Sequence, residues 1–295
     1  MTRPTLRQLE YLVAVAEERH FSRAAERCFV TQPALSAQIR ELEALLDVRL
    51  FERDRRHVLV TAAGTAMAER ARRILLAVDE LVDASRAAQR PLCGTLRMGV
   101  IPTISPYLLP RVLPRLRRRY PELNLLLRED QTDRIVADLD AGRLDVLLLA
   151  LEADLGEIET LPLFRDEFLA VIQAKHPLAK RKRLRESDLA REQVLLLDDG
   201  HCLRDQALAV CNAQGATEFG DFRATSLTTL MQMVSGSEML TLLPQLAVDV
   251  ETRGRTGLAV RPFRSPAPFR TIGLAWRRTS ARAEEFRALA PFLTV

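Results

Sequence analysis

The sequence predicts a two-domain α/β protein in which a small helical domain and a long helix precede a larger domain of alternating strands and helices. Three observations support this. Residues 1–60 contain closely spaced amphipathic helical segments followed by a short hairpin. Residues 61–90 contain no proline and a single glycine, a composition typical of one long helix. After Gly94, apolar runs alternate with amphipathic segments, which indicates α/β architecture.

Length and composition exclude several classes of protein. The chain has 295 residues, enough for about two domains of ordinary size. Its net charge of +4 does not by itself demand nucleic acid, and 47% hydrophobic content excludes a disordered chain. Neither a signal peptide nor a stretch of about 18 apolar residues is present, which predicts a cytoplasmic protein without a membrane partner. In that compartment the four cysteines are expected to be buried, reactive or metal-bound.

The N-terminal segment has the pattern of a helix-turn-helix. After a first helix over residues 5–17, Ser22 is expected to cap a short second helix, and Thr31 a third helix with Pro33 in its first turn. Its inward positions are Leu35, Ile39, Leu42 and Leu46, and its outward positions are Gln32, Ser36, Gln38 and Arg40. Amide and guanidinium groups so placed can contact base edges in the major groove.

A two-stranded wing is predicted over residues 49–61. Its tip carries four basic or imidazole side chains, Arg53, Arg55, Arg56 and His57, which suit phosphates beside the groove. The alternative from spacing alone is an ordinary helical domain with a solvated charged loop.

Residues 6–53 resemble the N-terminal domain of LysR-type transcriptional regulators. The matching stretch is LRQLEYLVAVAEERHFSRAAERCFVTQPALSAQIRELEALLDVRLFER. In that family the stretch beginning at Thr31 is the recognition helix and the wing follows it. The resemblance implies binding to double-stranded DNA with interrupted inverted repeats, through Thr31, Gln32, Pro33, Ser36, Gln38, Arg40, Arg53, Arg55 and Arg56.

The long helix carries an apolar stripe with alternating steps of four and three residues. Its members are Met67, Ala71, Ile74, Val78, Leu81 and Ser85. Such a stripe predicts a coiled-coil seam of about three heptads that pairs with another subunit. The alternative is a helix that lies on its own domain. The family resemblance implies a dimer of dimers.

The C-terminal region resembles the two-lobed, periplasmic-binding-protein-like α/β regulatory domain of LysR regulators. The expected organisation is a winged helix-turn-helix domain over 1–60, a dimerising coiled-coil linker helix over 61–90 and a regulatory domain over 95–295. Lobe I is expected over about 95–163 with 268–295, and lobe II over about 164–267. The cleft between two lobes is the default site for an effector.

Two cysteines nine residues apart define the most informative segment. Cys202 is expected at a helix start, where the helix dipole, Arg204 and a protonated His201 favour the thiolate and Asp205 opposes it. If one helix joins Cys202 to Cys211, about 13.5 Å of axial rise separates them. A disulfide needs Cα atoms within about 7 Å, so that helix would have to unwind. The alternative is that both thiols are inert.

Four segments resemble the hydrogen-peroxide-sensing subfamily of LysR regulators. They are DDGHCLRDQALAVC, IPTISPYLLP, EDQTDRIVADLDAGRLD and FRTIGLAW. The resemblance implies that Cys202 attacks peroxide and Cys211 resolves the product as a disulfide. It also implies a peroxide pocket made by Thr103, Thr132, His201, Arg204, Asp205, Gln206 and Arg270. One departure is Glu238 and Met239, which stand in a turn that is usually glycine-rich.

The leading hypothesis is therefore a redox-responsive transcriptional regulator that senses hydrogen peroxide and controls antioxidant genes. The resemblance implies RNA polymerase as a partner and a thiol reductant such as glutaredoxin or thioredoxin. No cofactor, metal or enzymatic activity is expected. One alternative is a LysR-type regulator that senses a small metabolite in the cleft, and another is a thiol peroxidase with an accessory DNA-binding domain.

Overall fold

The computed structural model describes residues 3–53, 58–87, 92–213, 215–219 and 222–294. The chain divides into two compact units, Met1–Gln89 and Arg90–Val295. Within the described ranges, no helix has the length and apolar character needed to cross a bilayer.

The first unit contains three short helices, a hairpin and a long helix. In order, its elements are α1 (Leu6–Glu18), α2 (Phe21–Arg27), α3 (Gln32–Leu46), β1 (Phe51–Arg53), β2 (Val58–Val60) and α4 (Ala62–Ala87). The two strands pair antiparallel. Leu35, Ile39 and Leu42 are completely buried against α1 and α2, as the helical spacing predicted. The predicted helix-turn-helix and wing strands are present.

The cap of α2 differs from the sequence prediction. His20, rather than Ser22, occupies the N-cap position, and its Nδ1 accepts the backbone N–H groups of Ser22 and Arg23. The Ser22 hydroxyl donates instead to Oε1 of Gln32, at 2.7 Å. Serine is a common N-cap residue and histidine is not, so the sequence favoured Ser22 over His20, two positions earlier. Thr31 precedes α3 as predicted, although its side chain makes no capping hydrogen bond.

The apolar stripe of α4 is divided between two environments. Ala71 is buried and Met67 packs against the core of the first unit, because α4 lies along α1. Further along the helix, Ile74 and Leu81 are exposed. The alternative of a helix lying on its own domain is therefore correct for the first turns, and only the later turns offer an apolar face to a second subunit. The side chain of Ser85 lies outside the described residues.

The second unit has α/β architecture. Its regular elements are β3 (Gly94–Val100), α5 (Ser105–Arg119), β4 (Leu123–Glu129), α6 (Thr132–Asp140), β5 (Val146–Ala150), β6 (Ile158–Gln173), β7 (Gln193–Val194), α7 (Cys202–Asn212), β8 (Thr217–Glu218), α8 (Leu227–Ser235), β9 (Thr241–Pro244), α9 (Gln245–Glu251), β10 (Leu258–Pro262), β11 (Phe269–Arg277) and α10 (Ala283–Leu289). Three short 3₁₀ helices cover Pro177–Lys180, Glu186–Leu189 and Ala290–Phe292.

One long strand, β6, runs through both halves of the main sheet. The order is β10-β6-β11-β5-β3-β4, with β9 also paired to β6. From Ile158 to Glu167 the partner of β6 is β11, and from Phe168 onward its partners are β9 and β10. This change of pairing partner falls a few residues after residue 164, where lobe II is predicted to begin. The lobe limits themselves stay a prediction.

A strand overlaps each of the seven apolar runs on which the α/β prediction rests, and β5 is completely buried, as an unbroken apolar run indicates. The runs are residues 96–101, 123–128, 145–151, 168–174, 194–197, 240–243 and 271–276. The run at residues 194–197 gives only the two-residue β7. The first half of β6 was missed because its charged residues and Pro162 weaken the strand signal. Glu238 and Met239, which stand where the family usually has a glycine-rich turn, lie between α8 and β9, and Met239 packs against the core.

Candidate functional site

Cys202 is the first residue of α7. The chain reaches it through Gly200, whose φ of +87° places it in the left-handed region that favours glycine. A Cβ on Gly200 would also lie 3.0 Å from Oε1 of Gln131. Nε2 of Gln131 donates to the carbonyl oxygen of Asp199 at 3.3 Å, which ties the loop before Cys202 to the start of α6. Gln131 therefore helps to fix where α7 begins.

The Cys202 thiol is buried, and this raises its pKa above the ordinary value of 9.0. The Thr132 hydroxyl, the charge of Arg270 and the Leu203 backbone N–H act in the opposite direction, but burial is the largest effect. The expectation of a resting thiolate was therefore wrong. That expectation rested on the helix start and the nearby cations, which lower the pKa of a thiol. It left out burial, which raises the pKa because a charged sulfur is poorly solvated there.

Arg204 was also misplaced by the sequence prediction. Its guanidinium donates to Asp199 at 2.8 Å and to Glu218 at 3.0 Å. Arg223 pairs with the same two carboxylates. Arg204 thus connects the first turn of α7 to the preceding loop and to β8, and the cation that acts on Cys202 is Arg270.

Arg270, in β11, is completely buried. Its Nη1 donates to Oγ1 of Thr103 at 2.8 Å, and its Nη2 donates to the Thr103 carbonyl oxygen at 3.0 Å. Asp166 neutralises it through bonds of 3.0 and 2.9 Å to Oδ2. The sequence prediction missed Asp166 because it stands between charged neighbours, Arg165 and Glu167, in a segment that was not expected to be a strand.

The sulfur of Cys202 lies between a tight recess and an open cleft. Thr103, Thr132 and His201 line the recess, which is too narrow for a water molecule as it stands. The cleft has a volume of about 490 Å³ and is lined by Thr132, Asp205 and Gln206, among others. Five of the seven predicted pocket residues line the recess or the cleft, Arg270 contacts one of them, Thr103, and Arg204 lines neither space.

Several polar atoms at this site lack partners. Within the described part of the chain, Oγ1 of Thr132 and both amide atoms of Gln206 are buried without a hydrogen bond of normal geometry. Buried polar atoms are usually bonded, so such atoms suit a small polar ligand. His201 is buried too, which lowers its pKa below 6.5 and leaves it neutral at physiological pH.

Cys211 lies in the last turn of the helix that begins at Cys202. It is buried, which raises its pKa to about 11. The condition set by the sequence analysis, one uninterrupted helix between the two cysteines, is therefore met.

The structure describes the side chains of six of the nine proposed DNA-binding residues. Thr31, Gln32, Pro33 and Arg40 are exposed, while Ser36 and Gln38 are half-buried. The backbone of Arg53 ends β1, and nothing of its side chain is described. Arg55 and Arg56 lie outside the described residues.

Two family models match the chain. The first, bacterial regulatory helix-turn-helix protein of the lysR family, matches residues 6–65, and the second, LysR substrate binding domain, matches residues 89–294. The chain belongs to the LysR family. Within it, the chain is 46% identical to the DNA-binding transcriptional dual regulator OxyR of Escherichia coli, over 97% of this chain and 93% of that protein.

Solved OxyR structures have the same fold. A full-length OxyR from Pseudomonas aeruginosa with a cysteine-to-aspartate substitution is 34% identical, with a TM-score of 0.81, covering 99% of this chain and 95% of that one. A hydrogen-peroxide-bound OxyR cysteine mutant from Corynebacterium glutamicum is 39% identical, with a TM-score of 0.69, covering 99% and 92%. The chain is therefore a DNA-binding regulator of the OxyR branch, and the predicted fold class is confirmed.

Proposed function

We propose that this protein detects hydrogen peroxide through Cys202 and Cys211 and converts the signal into altered transcription of antioxidant genes. The observation that carries the proposal is the surroundings of Cys202. The thiol is buried beside the Thr132 hydroxyl, at the edge of the cleft that Asp205 and Gln206 also line, and its resolving partner lies on the same helix. Hydroxyl groups suit a ligand as small and polar as peroxide.

The chemistry takes two steps. In the first, the Cys202 sulfur attacks one peroxide oxygen, the O–O bond breaks, and the thiol proton leaves with the other oxygen as water, which gives a sulfenic acid. In the second, the Cys211 sulfur displaces the sulfenic hydroxyl, the S–S bond forms, and the Cys211 proton leaves with that hydroxyl as water. A dithiol reductant such as glutaredoxin or thioredoxin returns two electrons and resets the protein.

The signal arises from the geometry of α7. Cα atoms about 13.5 Å apart along a helix cannot be bridged, so the second step requires α7 to unwind. Unwinding displaces Arg204 and thereby its bonds to Asp199 and Glu218. The movement changes how subunits of a dimer of dimers pack, and with it their contacts to interrupted inverted repeats and to RNA polymerase.

The proposed role is regulatory rather than enzymatic, because one oxidation per signal suffices and no turnover is needed. A regulator of chromosomal genes acts in the cytoplasm. The cleft beside Cys202, with its Phe168 and Phe269 side chains, favours a metabolite-sensing regulator as the second candidate.

Two measurements on the full chain separate these candidates. Peptide mass spectrometry after equimolar hydrogen peroxide is expected to find a Cys202–Cys211 disulfide. Footprinting on the upstream region of its own gene is expected to shift on oxidation in the wild type and in the control Cys93→Ser, and not in Cys202→Ser. An equal shift of the footprint in Cys202→Ser would show that sensing occurs at another residue. Reduction of many peroxide molecules per protein, in the presence of a reducing system, would favour a peroxidase.

A further inference from the structure

We propose that Asp166 is a positioning residue for the peroxide reaction, acting through Arg270 on the Thr103 hydroxyl. The proposal rests on the function proposed above. Asp166 in β6 and Arg270 in β11 stand directly opposite each other in the antiparallel register. Both side chains are almost completely buried, at 3% and 0% exposure.

The Asp166 carboxylate is held by bonds on both of its oxygens. Oδ2 accepts Nε and Nη2 of Arg270, at 3.0 and 2.9 Å. Oδ1 accepts the backbone N–H of Leu246, in the first turn of α9, at 3.0 Å. A carboxylate fixed in this way fixes the plane of the guanidinium, because two of the three guanidinium nitrogens are committed to it.

The guanidinium in turn determines what the Thr103 hydroxyl can do. Nη1 of Arg270 donates to Oγ1 of Thr103, so this oxygen acts as an acceptor and its own hydrogen must donate elsewhere. The Thr103 carbonyl oxygen already accepts Nη2 of Arg270. Because Thr103 lines the recess at Cys202, the hydroxyl hydrogen is available to the oxygen that leaves when the O–O bond breaks.

A donor at that position assists the step in which charge develops. Negative charge grows on the departing oxygen as sulfur attacks, and a preorganised donor stabilises the transition state more than the ground state. Without the Asp166 charge, Arg270 loses the partner that orients it. Attack on peroxide then slows, although the sulfur itself is no less nucleophilic.

A positioning role predicts slower oxidation of Cys202 with no loss of its nucleophilicity, whereas a purely structural role predicts that both decrease. In full-length Asp166→Asn, we expect oxidation of Cys202 by hydrogen peroxide to slow about tenfold, the size of one lost hydrogen bond. Alkylation of Cys202 by neutral iodoacetamide, which needs no donor on a leaving oxygen, is expected to keep its rate or rise, because a negative charge near the thiol has been removed. Equal slowing of both reactions, or no slowing of either, would overturn the proposal.

A double-mutant cycle tests the route through Thr103. Thr103→Val removes the hydroxyl, so adding Asp166→Asn to it should slow oxidation by less than twofold, whereas additive losses would contradict the proposed route. Asp166→Glu keeps the charge and should retain more activity than Asp166→Asn. Asp145→Asn is the matched control, since Asp145 is also buried and pairs with Arg282 away from Cys202. Peroxide-insensitive wild-type protein would instead refute the proposed function.

Discussion

Cys202 and Cys211 occupy the first and last turns of one helix, α7, so the two sulfurs cannot bond while that helix is intact. About 13.5 Å of axial rise lies between two residues nine positions apart, against a Cα separation of about 7 Å at most in a disulfide. Both thiols are buried. A disulfide between these two residues would therefore require the loss of a secondary-structure element.

The resolving role proposed for Cys211 predicts a trapped intermediate. In Cys211→Ser, hydrogen peroxide should still convert Cys202 to a sulfenic acid, detectable with a dimedone probe, because the pocket around Cys202 is unchanged. The footprint on DNA should stay in its reduced form, since no disulfide forms to unwind α7. Cys28→Ser is the control, as Cys28 lies in the other unit and should leave the oxidised footprint intact. An oxidised footprint from Cys211→Ser would separate signalling from the disulfide.

Burial of Cys202 predicts a specific pH dependence. The thiolate is the nucleophile, and the pKa of this thiol is raised above 9.0 by burial, so alkylation should accelerate about tenfold per pH unit across the neutral range with no plateau below 9.0. The pKa of His201 lies below 6.5, so the imidazole adds no inflection above that value. Iodoacetamide labelling of the Cys202 peptide, followed by mass spectrometry, measures the profile. A plateau near neutral pH would show that the thiolate is favoured after all.

The ion pair between Arg204 and Glu218 should restrain the second step. Glu218→Gln removes one of the two carboxylates that hold the first turn of α7 to its surroundings, at 3.0 Å. The ion pair stabilises only the reduced conformation, in which α7 is intact. Its loss should therefore accelerate disulfide formation from the sulfenic acid about fivefold, which corresponds to about 1 kcal/mol.

Quenched-flow mass spectrometry separates the two steps of that variant. The rate of sulfenic acid formation should not change. Glu284→Gln, which breaks a pair with Arg287 within α10, is the control and should alter neither step. Slower disulfide formation in Glu218→Gln would contradict the assignment.

Phe29 marks a strained position in the turn before α3. Its φ is +56°, in the left-handed region, and its side chain is 94% exposed. Left-handed backbone costs an L-residue about 1–2 kcal/mol and costs glycine nothing comparable. Glycine, however, loses about 0.5–1 kcal/mol more conformational entropy when the chain folds. On balance, Phe29→Gly should raise the free energy of unfolding by up to about 1 kcal/mol. Thermal unfolding of the full chain, followed by circular dichroism, measures the shift. Phe29→Ala keeps the strain and should not stabilise, and equal melting of the two variants would remove the explanation.

Much of the fold was predictable because it depends on local patterns. Alternation of apolar runs gave the strands of the second unit, and Leu35 and Ile39 fell on the buried face of α3 as their spacing indicated. The wing and the long helix followed from the same kind of signal. Elements without apolar periodicity, such as β8 and the first half of β6, gave no such indication.

The site was less predictable because it depends on contacts between distant residues. Asp166 and Arg270 are 104 positions apart and meet only through the register of β6 with β11. Arg204 lies two positions after Cys202 in the sequence, yet its guanidinium pairs with Asp199 and Glu218. The burial that raises the Cys202 pKa is likewise a property of packing and not of neighbouring residues. Sequence proximity suggested the wrong cation.

Hydrogen exchange across α7 tests the central claim most directly. Backbone amides between Cys202 and Cys211 should be protected in the reduced protein and should lose that protection when equimolar hydrogen peroxide forms the disulfide, while β5 stays protected as an internal reference. A Cys202–Cys211 disulfide with α7 protection unchanged, or lost protection without any disulfide, would contradict the account.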